Sequence, residues 1–174
     1  DGTGTLSAAD LAAITAKTSG TVTLQNAQTV SGTGDEVTAA LITNPLTLSA
    51  ASNATVTGNV TAEVAGNIAN VTDITAAFSG TITDTLANLA DSGSISTNFS
   101  RARGDDTDVK VVVSDGTGTL SAADLKAVTE KTTGTVTLQN AQTVSGSGSD
   151  LVAALKTDPV TLSAASTATI TSAV

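Results

Sequence analysis

The densest run of charge in the chain is Arg101-Ala102-Arg103-Gly104-Asp105-Asp106-Thr107-Asp108. Asp105, Asp106 and Asp108 offer hard carboxylate oxygens of the kind that Ca²⁺ prefers. Their spacing departs from a helix–loop–helix calcium loop, in which acids alternate and a distal Glu completes the shell. The plainer reading is a solvated loop in which Arg101 and Arg103 neutralise the neighbouring acids. Arg103-Gly104-Asp105 also spells a tripeptide known to engage integrins, but three residues recur by chance too easily to carry weight. No residue is therefore assigned as catalytic, cofactor-binding or metal-ligating, and no cofactor is expected.

Three further patterns have chemistry to weigh. The Thr-x-Thr pairs Thr3/Thr5, Thr21/Thr23, Thr55/Thr57 and Thr81/Thr83 would bind ice if they formed a regular outer face. A strand demands that alternation anyway, and Leu46-Thr47-Leu48 has the inverse pattern. Asp73, Asp84 and Asp91 would suit polysaccharide cleavage only with basic partners, and none stands nearby in sequence. Asn53, Asn59, Asn70 and Asn98 head glycosylation sequons, about as many as chance gives in so Ser- and Thr-rich a chain.

Composition removes other classes. There is no His or Cys, so a Ser-His-Asp triad, a thiol nucleophile, a disulfide framework and a zinc site of the usual ligands are all absent. Seven Lys and Arg against sixteen Asp and Glu leave a net charge of −9, the wrong sign for nucleic acid. No apolar run reaches the roughly 18 residues a membrane helix needs. Only Phe78 and Phe99 are aromatic, so a rounded core has little to fill it. Val, Ile, Leu and Ala suit a thin core repeated many times.

The elements that carry these residues are set by an internal repeat. Residues 1–60 align without gaps on 115–174, with 44 identities in 60 pairs. Substitutions keep apolar positions apolar: Ile14 becomes Val128, Val37 becomes Leu151 and Val56 becomes Ile170. A finer Gly-Thr-x-Thr-Leu motif starts at Gly2, Gly20, Gly80, Gly116 and Gly134, with Asn44-Pro45 and Asp158-Pro159 opening equivalent runs. The mean unit is about 19 residues. Each unit opens with a short alternating strand in which β-branched residues dominate, as in Thr21-Val22-Thr23-Leu24, Leu46-Thr47-Leu48, Thr81-Ile82-Thr83 and Val111–Val113, and Val22, Leu24, Leu46, Leu48, Ile82 and their copies are expected to face the interior. In some units a short helical turn follows: Ser7 caps with Asp10 three residues on, and Asp35 to Leu41 and Val71 to Phe78 show similar spacing. A unit this short cannot enclose a core alone, so the reading is a mainly β fold, a β-solenoid of stacked coils running continuously over 1–174.

The stretch "LSAADLAAITAKTSGTVTLQNAQTVSGTGDEVTAAL" resembles the β-strand repeats of very large exported bacterial proteins, notably cyanobacterial ones. The likeness rests on Thr5 to Leu11, Thr18 to Val22, and Glu36 to Leu41. It covers 1–60 and 115–174 well and 61–114 loosely. It implies an extracellular or cell-surface spacer or adhesin-like array. The Gly-Gly-x-Gly-x-Asp calcium nonapeptide of such proteins is missing, so calcium is not carried over.

The expected function is a stiff spacer or self-assembling filament or surface-layer element. The alternative is a ligand-binding array for ice or calcium. The expected partner is another copy meeting the ends or sides of the rod, with no nucleic acid, no membrane span and no enzymatic role.

Overall fold

The computed structural model describes residues 2–43, 46–48, 52–157, 160–162 and 166–171. The first copy of the repeat runs β1 (Gly4–Ser7), α1 (Ala8–Thr15), β2 (Val22–Thr23), β3 (Gln28–Thr33), α2 (Gly34–Thr38), β4 (Leu46–Thr47) and β5 (Ser52–Thr57). α2 continues as a π-helical turn over Ala39–Thr43. The middle segment holds α3 (Ala62–Ala69), β6 (Ile74–Phe78), β7 (Thr81–Asp84), α4 (Leu86–Leu89), β8 (Ala90–Asp91), β9 (Ser94–Ile95), α5 (Thr97–Asp105) and β10 (Lys110–Val113). The second copy repeats the first as β11 (Gly118–Ser121), α6 (Ala122–Thr129), β12 (Val136–Leu138), β13 (Gln142–Gly146), α7 (Gly148–Val152), β14 (Val160–Thr161) and β15 (Thr167–Ile170). Asn44, Pro45, Asp158 and Pro159 lie outside the described residues.

The chain is thus mixed α/β with parallel sheets and, among the described residues, seven α-helices. This corrects the expectation of a mainly β solenoid with coils of about 19 residues. The helices are not occasional turns. They pack on one another, α1 on α2, α2 on α3, α3 on α5 and α6 on α7. Within each copy the true step is also longer, and across the middle segment it varies, with Ser52 paired to Ile74, Ile82 to Val111 and Val111 to Val136. Thr5 pairs with Thr29, Thr29 with Asn53, Val22 with Leu46, Thr119 with Thr143, and Val136 with Val160, each 24 residues apart. Counting Gly-Thr motifs mixed two distances. Gly2 and Gly20 precede strands of different sheets, β1 and β2, whereas the step from 20 to 44 is a real repeat.

Three parallel sheets result, in the orders β1-β3-β5-β6, β14-β12-β10-β7 and β11-β13-β15, with β2-β4 as a separate pair. Alternation assigns the faces. Leu6, Val30, Ala54 and Ala76 form one row in register, the last three almost wholly buried. Thr5, Thr29, Asn53 and Thr75 form the neighbouring outward row. Val71 to Phe78, expected to be helical, is instead mostly strand β6. Its Ile74, Ala76 and Phe78 are buried while Thr75 and Ala77 are exposed, and that period of two wins over the accidental helical spacing of Val71, Ile74 and Phe78.

Helix starts follow side-chain caps. The Ser7 hydroxyl accepts from the Asp10 amide at 3.2 Å, and Ser121 repeats this with Asp124. Thr33 and Glu36 form a reciprocal capping box at α2. Such caps stabilise a helix by about 1 kcal/mol each. Helices this short need them as well as tertiary packing.

Both aromatics fill the middle segment, Phe99 completely buried and Phe78 nearly so. Around them Ile68, Ile82, Leu89, Val109 and Val111 close an aliphatic interior. Of the residues expected inside, Ile82 is fully buried, while Val22, Leu24, Leu46 and Leu48 are only half-buried. The second-copy equivalents of Val22 and Leu24, Val136 and Leu138, are each 1% exposed, whereas Val160 and Leu162, equivalent to Leu46 and Leu48, are half-buried and exposed respectively.

Candidate functional site

The acidic run lies where one sheet ends. β6 is the last strand of the first sheet, so its outer edge presents backbone N–H groups at every second residue. α5 ends at Asp105 and directs two consecutive carboxylates onto that edge. Asp105 Oδ2 accepts from the Ala76 amide at 2.8 Å, and Asp106 Oδ2 accepts from the Phe78 amide at 2.7 Å. The two acids thus occupy the donors a further strand would have used. The segment expected as a solvated loop is helical through Asp105. Among the described residues, neither Arg101 nor Arg103 forms an ion pair with these acids. The Arg103-Gly104-Asp105 tripeptide sits in the last turn of α5 with its carboxylate engaged.

The same use of carboxylates recurs around the middle segment. Asp84 is buried. Its Oδ2 accepts from the Ala62 amide at 3.0 Å, and its Oδ1 from the Thr85 amide at 2.9 Å and Asn88 Nδ2 at 2.7 Å. Asp115 Oδ2 accepts from the Leu86 amide at 2.6 Å. Asp124 Oδ1 accepts from the Gly93 amide at 2.6 Å, in the two-residue turn of the β8–β9 hairpin. Ser92 and Gly93 both have positive φ there, as a tight hairpin turn of this twist requires. Charge-assisted bonds of this kind are about twice as strong as neutral ones. Sequence reasoning missed this role. The available signal is that all seven acids between 84 and 124 are Asp and none is Glu; the short side chain holds a carboxylate close to a neighbouring backbone.

A second device repeats in both copies. Gln28 Nε2 donates to Gly2 O at 2.6 Å, and Gln142 Nε2 donates to Gly116 O at 2.6 Å and to Asp115 O at 3.0 Å. Both glutamines are buried. Each clamps its strand to the residues that lead into the neighbouring strand, β1 for Gln28 and β11 for Gln142.

Asp106 carries an electrostatic consequence. Burial raises its pKa above the usual carboxylate value; the Phe78 amide pulls it down, and neighbouring Asp108 adds to the rise. A carboxyl whose native pKa is raised binds its proton more tightly when folded. Its contribution to stability is therefore full below the unfolded value of about 3.9 and is lost as pH rises through the native value. Asp106→Asn removes this titration. Urea midpoints measured across the acid range should show the wild type gaining on the variant as pH falls. A constant difference between the two would contradict the assignment.

Lys126 Nζ meets Asp150 Oδ1 at 3.0 Å, the one ion pair among the described residues, and joins α6 to α7. Its positions in the first copy hold Ala12 and Glu36. The Ser147 hydroxyl, and after it Lys126, hold Asp150 below the usual carboxylate range. That contribution is present above about pH 3.9 and disappears as pH falls through the lowered native value. The pair is partly accessible to solvent, so Lys126→Ala should lower the melting temperature only slightly, and 1 M salt should remove most of the difference.

The remaining candidates do not converge. Among the described residues no three carboxylates gather as a cation shell would require. Asp73 lies in the turn after α3 with φ of 64°, Asp91 is exposed in β8, and Asp84 is fully engaged. A polar groove between the starts of α3 and α5 is lined by Thr61, Glu63, Asp84, Asn88, Thr97 and Asn98, and the carboxylate in its wall is the one that holds Ala62, Thr85 and Asn88. Thr81 and Thr83 bond to each other at 2.9 Å, and the outward row beside Thr5 is interrupted by Asn53. Asn53, Asn59 and Asn70 are exposed, whereas Asn98 is half-buried in α5. Among the described residues no helix is long and apolar enough to cross a membrane.

No protein-family model matches the chain, no curated protein matches its sequence, and no solved structure matches its fold.

Proposed function

We propose that this chain is a structural repeat segment of an extracellular, adhesin-like surface protein, serving as a stiff spacer or self-assembling element rather than as an enzyme. The observation that carries this reading is how the polar chemistry is spent. The carboxylates Asp84, Asp105, Asp106, Asp115 and Asp124 are bonded to backbone amides of neighbouring elements. They act as joints between units. Parallel strands in 24-residue register within each copy supply a direction of growth, and the net charge of −9 disfavours side-by-side clumping, which leaves the ends for assembly.

Two measurements test the two halves of the proposal. Small-angle X-ray scattering of chains with one, two and three 114-residue periods should give a length that grows in proportion at constant cross-section. A radius growing only as a compact globule's would overturn the spacer. Antibody raised against the chain should label intact cells of its source. Labelling only after permeabilisation would overturn the surface location.

A further inference from the structure

The two copies of the repeat share 44 of 60 residues yet differ sharply in what is covered. Ile14 on α1 is 58% exposed, and its equivalent Val128 on α6 is completely buried. Ala13 and Thr18 are exposed where Ala127 and Thr132 are buried; Val22 and Leu24 are half-buried where Val136 and Leu138 are buried. The side chains are the same or equivalent, so the difference lies in the cover.

In the second copy that cover is the stretch from α4 to β10. β10 pairs in parallel with β12 through Val111↔Val136, Val112↔Thr137 and Val113↔Leu138. The Gln139 amide donates to Val113 O at 3.0 Å. Thr132 Oγ1 donates to Val109 O at 2.6 Å, and the Thr133 amide to Thr107 O at 2.9 Å. Gly134 approaches the Asp108 and Val109 carbonyls so closely that any side chain there would collide with backbone. The β8–β9 hairpin and α4 close over α6, where Asp124 takes the Gly93 amide. The first copy retains Asp10, Thr18, Gly20, Val22, Leu24 and Gln25 at the corresponding positions, including a glycine where only a glycine fits.

We propose that the face of the first copy formed by β2, the outer side of α1 and the Thr18–Gly20 turn is a docking surface for a further 61–114 segment, seated as the chain's own 61–114 segment is seated on the second copy. The occupant is specified by the duplicate: a parallel β10 equivalent beside β2, with a hairpin amide on Asp10. This deepens the spacer reading and rests on it only in that units stack. Docking can fail while surface location stands, because the two are read by different measurements.

The test extends the chain by placing a second 61–114 segment ahead of Asp1, which reproduces the Ser114-Asp115 junction as Ser114-Asp1. The protein has no cysteine, so Ile14→Cys introduces a single thiol. In the 174-residue chain this thiol should react with iodoacetamide like an exposed one. In the extended chain alkylation should slow roughly 100-fold, as expected of a site that opens only by local unfolding. The Gln25 amide, followed by hydrogen exchange without any substitution, should become protected to the level of Gln139. Equal alkylation rates in the two chains, or a Gln25 amide that exchanges as before while Gln139 stays protected, would overturn the proposal. The exchange measurement decides if the cysteine disturbs folding.

Discussion

Gly66→Ala should destabilise the protein by about 2 kcal/mol even though alanine is the better helix former. Gly66 lies inside α3 and is buried. A methyl group added there would stand 2.6 Å from both Cα and Cβ of Asn98 on α5, and 2.8 Å from its carbonyl oxygen. Two of those three atoms are backbone, so rotating a side chain cannot relieve the contact and the helices must separate. Overpacking of this kind costs about 1–3 kcal/mol or more, against about 1 kcal/mol gained in propensity. Among the described residues α3 packs more extensively against α5 than any other two elements do against each other, so separating the two costs buried contact along their length. Gly104→Ala supplies the opposite sign. It is exposed in the last turn of α5 with no atom near the position of an added methyl group, and should stabilise by about 0.5–1 kcal/mol. Urea unfolding of the two variants should bracket the wild type. Equal and small effects would mean that α3 and α5 are not in the contact described.

Replacing Asp105 and Asp106 together by Ala should cost about 3 kcal/mol. Each substitution strands a backbone amide of β6, at 76 and at 78, and hydrogen bonds to a charged group contribute about 1.5–3 kcal/mol each. Losing the repulsion between Asp106 and Asp108 returns part of this. The double Asn variant keeps an acceptor oxygen at both positions and should stay within about 1 kcal/mol of the wild type. The Ala variant should also aggregate, because β6 would then offer an open edge to another strand. Chemical denaturation with light scattering reads both effects. If the Ala and Asn variants behave alike, the carboxylates are not holding the edge.

What could be read from residues alone, and what could not, follows from which forces are local. The strands at Val22, Leu46, Ile82 and Val111–Val113 and the Ser7-capped helix α1 follow from alternation, β-branching and capping, which act within a few residues. The duplication gave the second copy for nothing more than alignment. The helix layer was underestimated because its helices are short and bury mostly small side chains: α3 hides Ala62, Ala65 and Gly66 beside Ile68, and it is held chiefly by α5. The joints were invisible for a different reason. Asp105 reaches Ala76, and Asp115 reaches Leu86, each across 29 residues, and nothing in a linear sequence marks which amide an acid will find. The acids drew attention as a cluster; their partners are backbone groups, which sequence does not distinguish.

The 24-residue register has a consequence for how such a gene can change. Excising one full step, from β2 to just before β4, sets Leu46 where Val22 stood and leaves every later strand in phase with its neighbour. Losing a single residue within a strand turns its hydroxyls inward and its aliphatics out. Recombination between near-identical stretches naturally removes or inserts whole steps, so the molecule can lengthen or shorten in jumps that folding accepts, while the small deletions most proteins absorb in loops are the ones it tolerates least inside its strands.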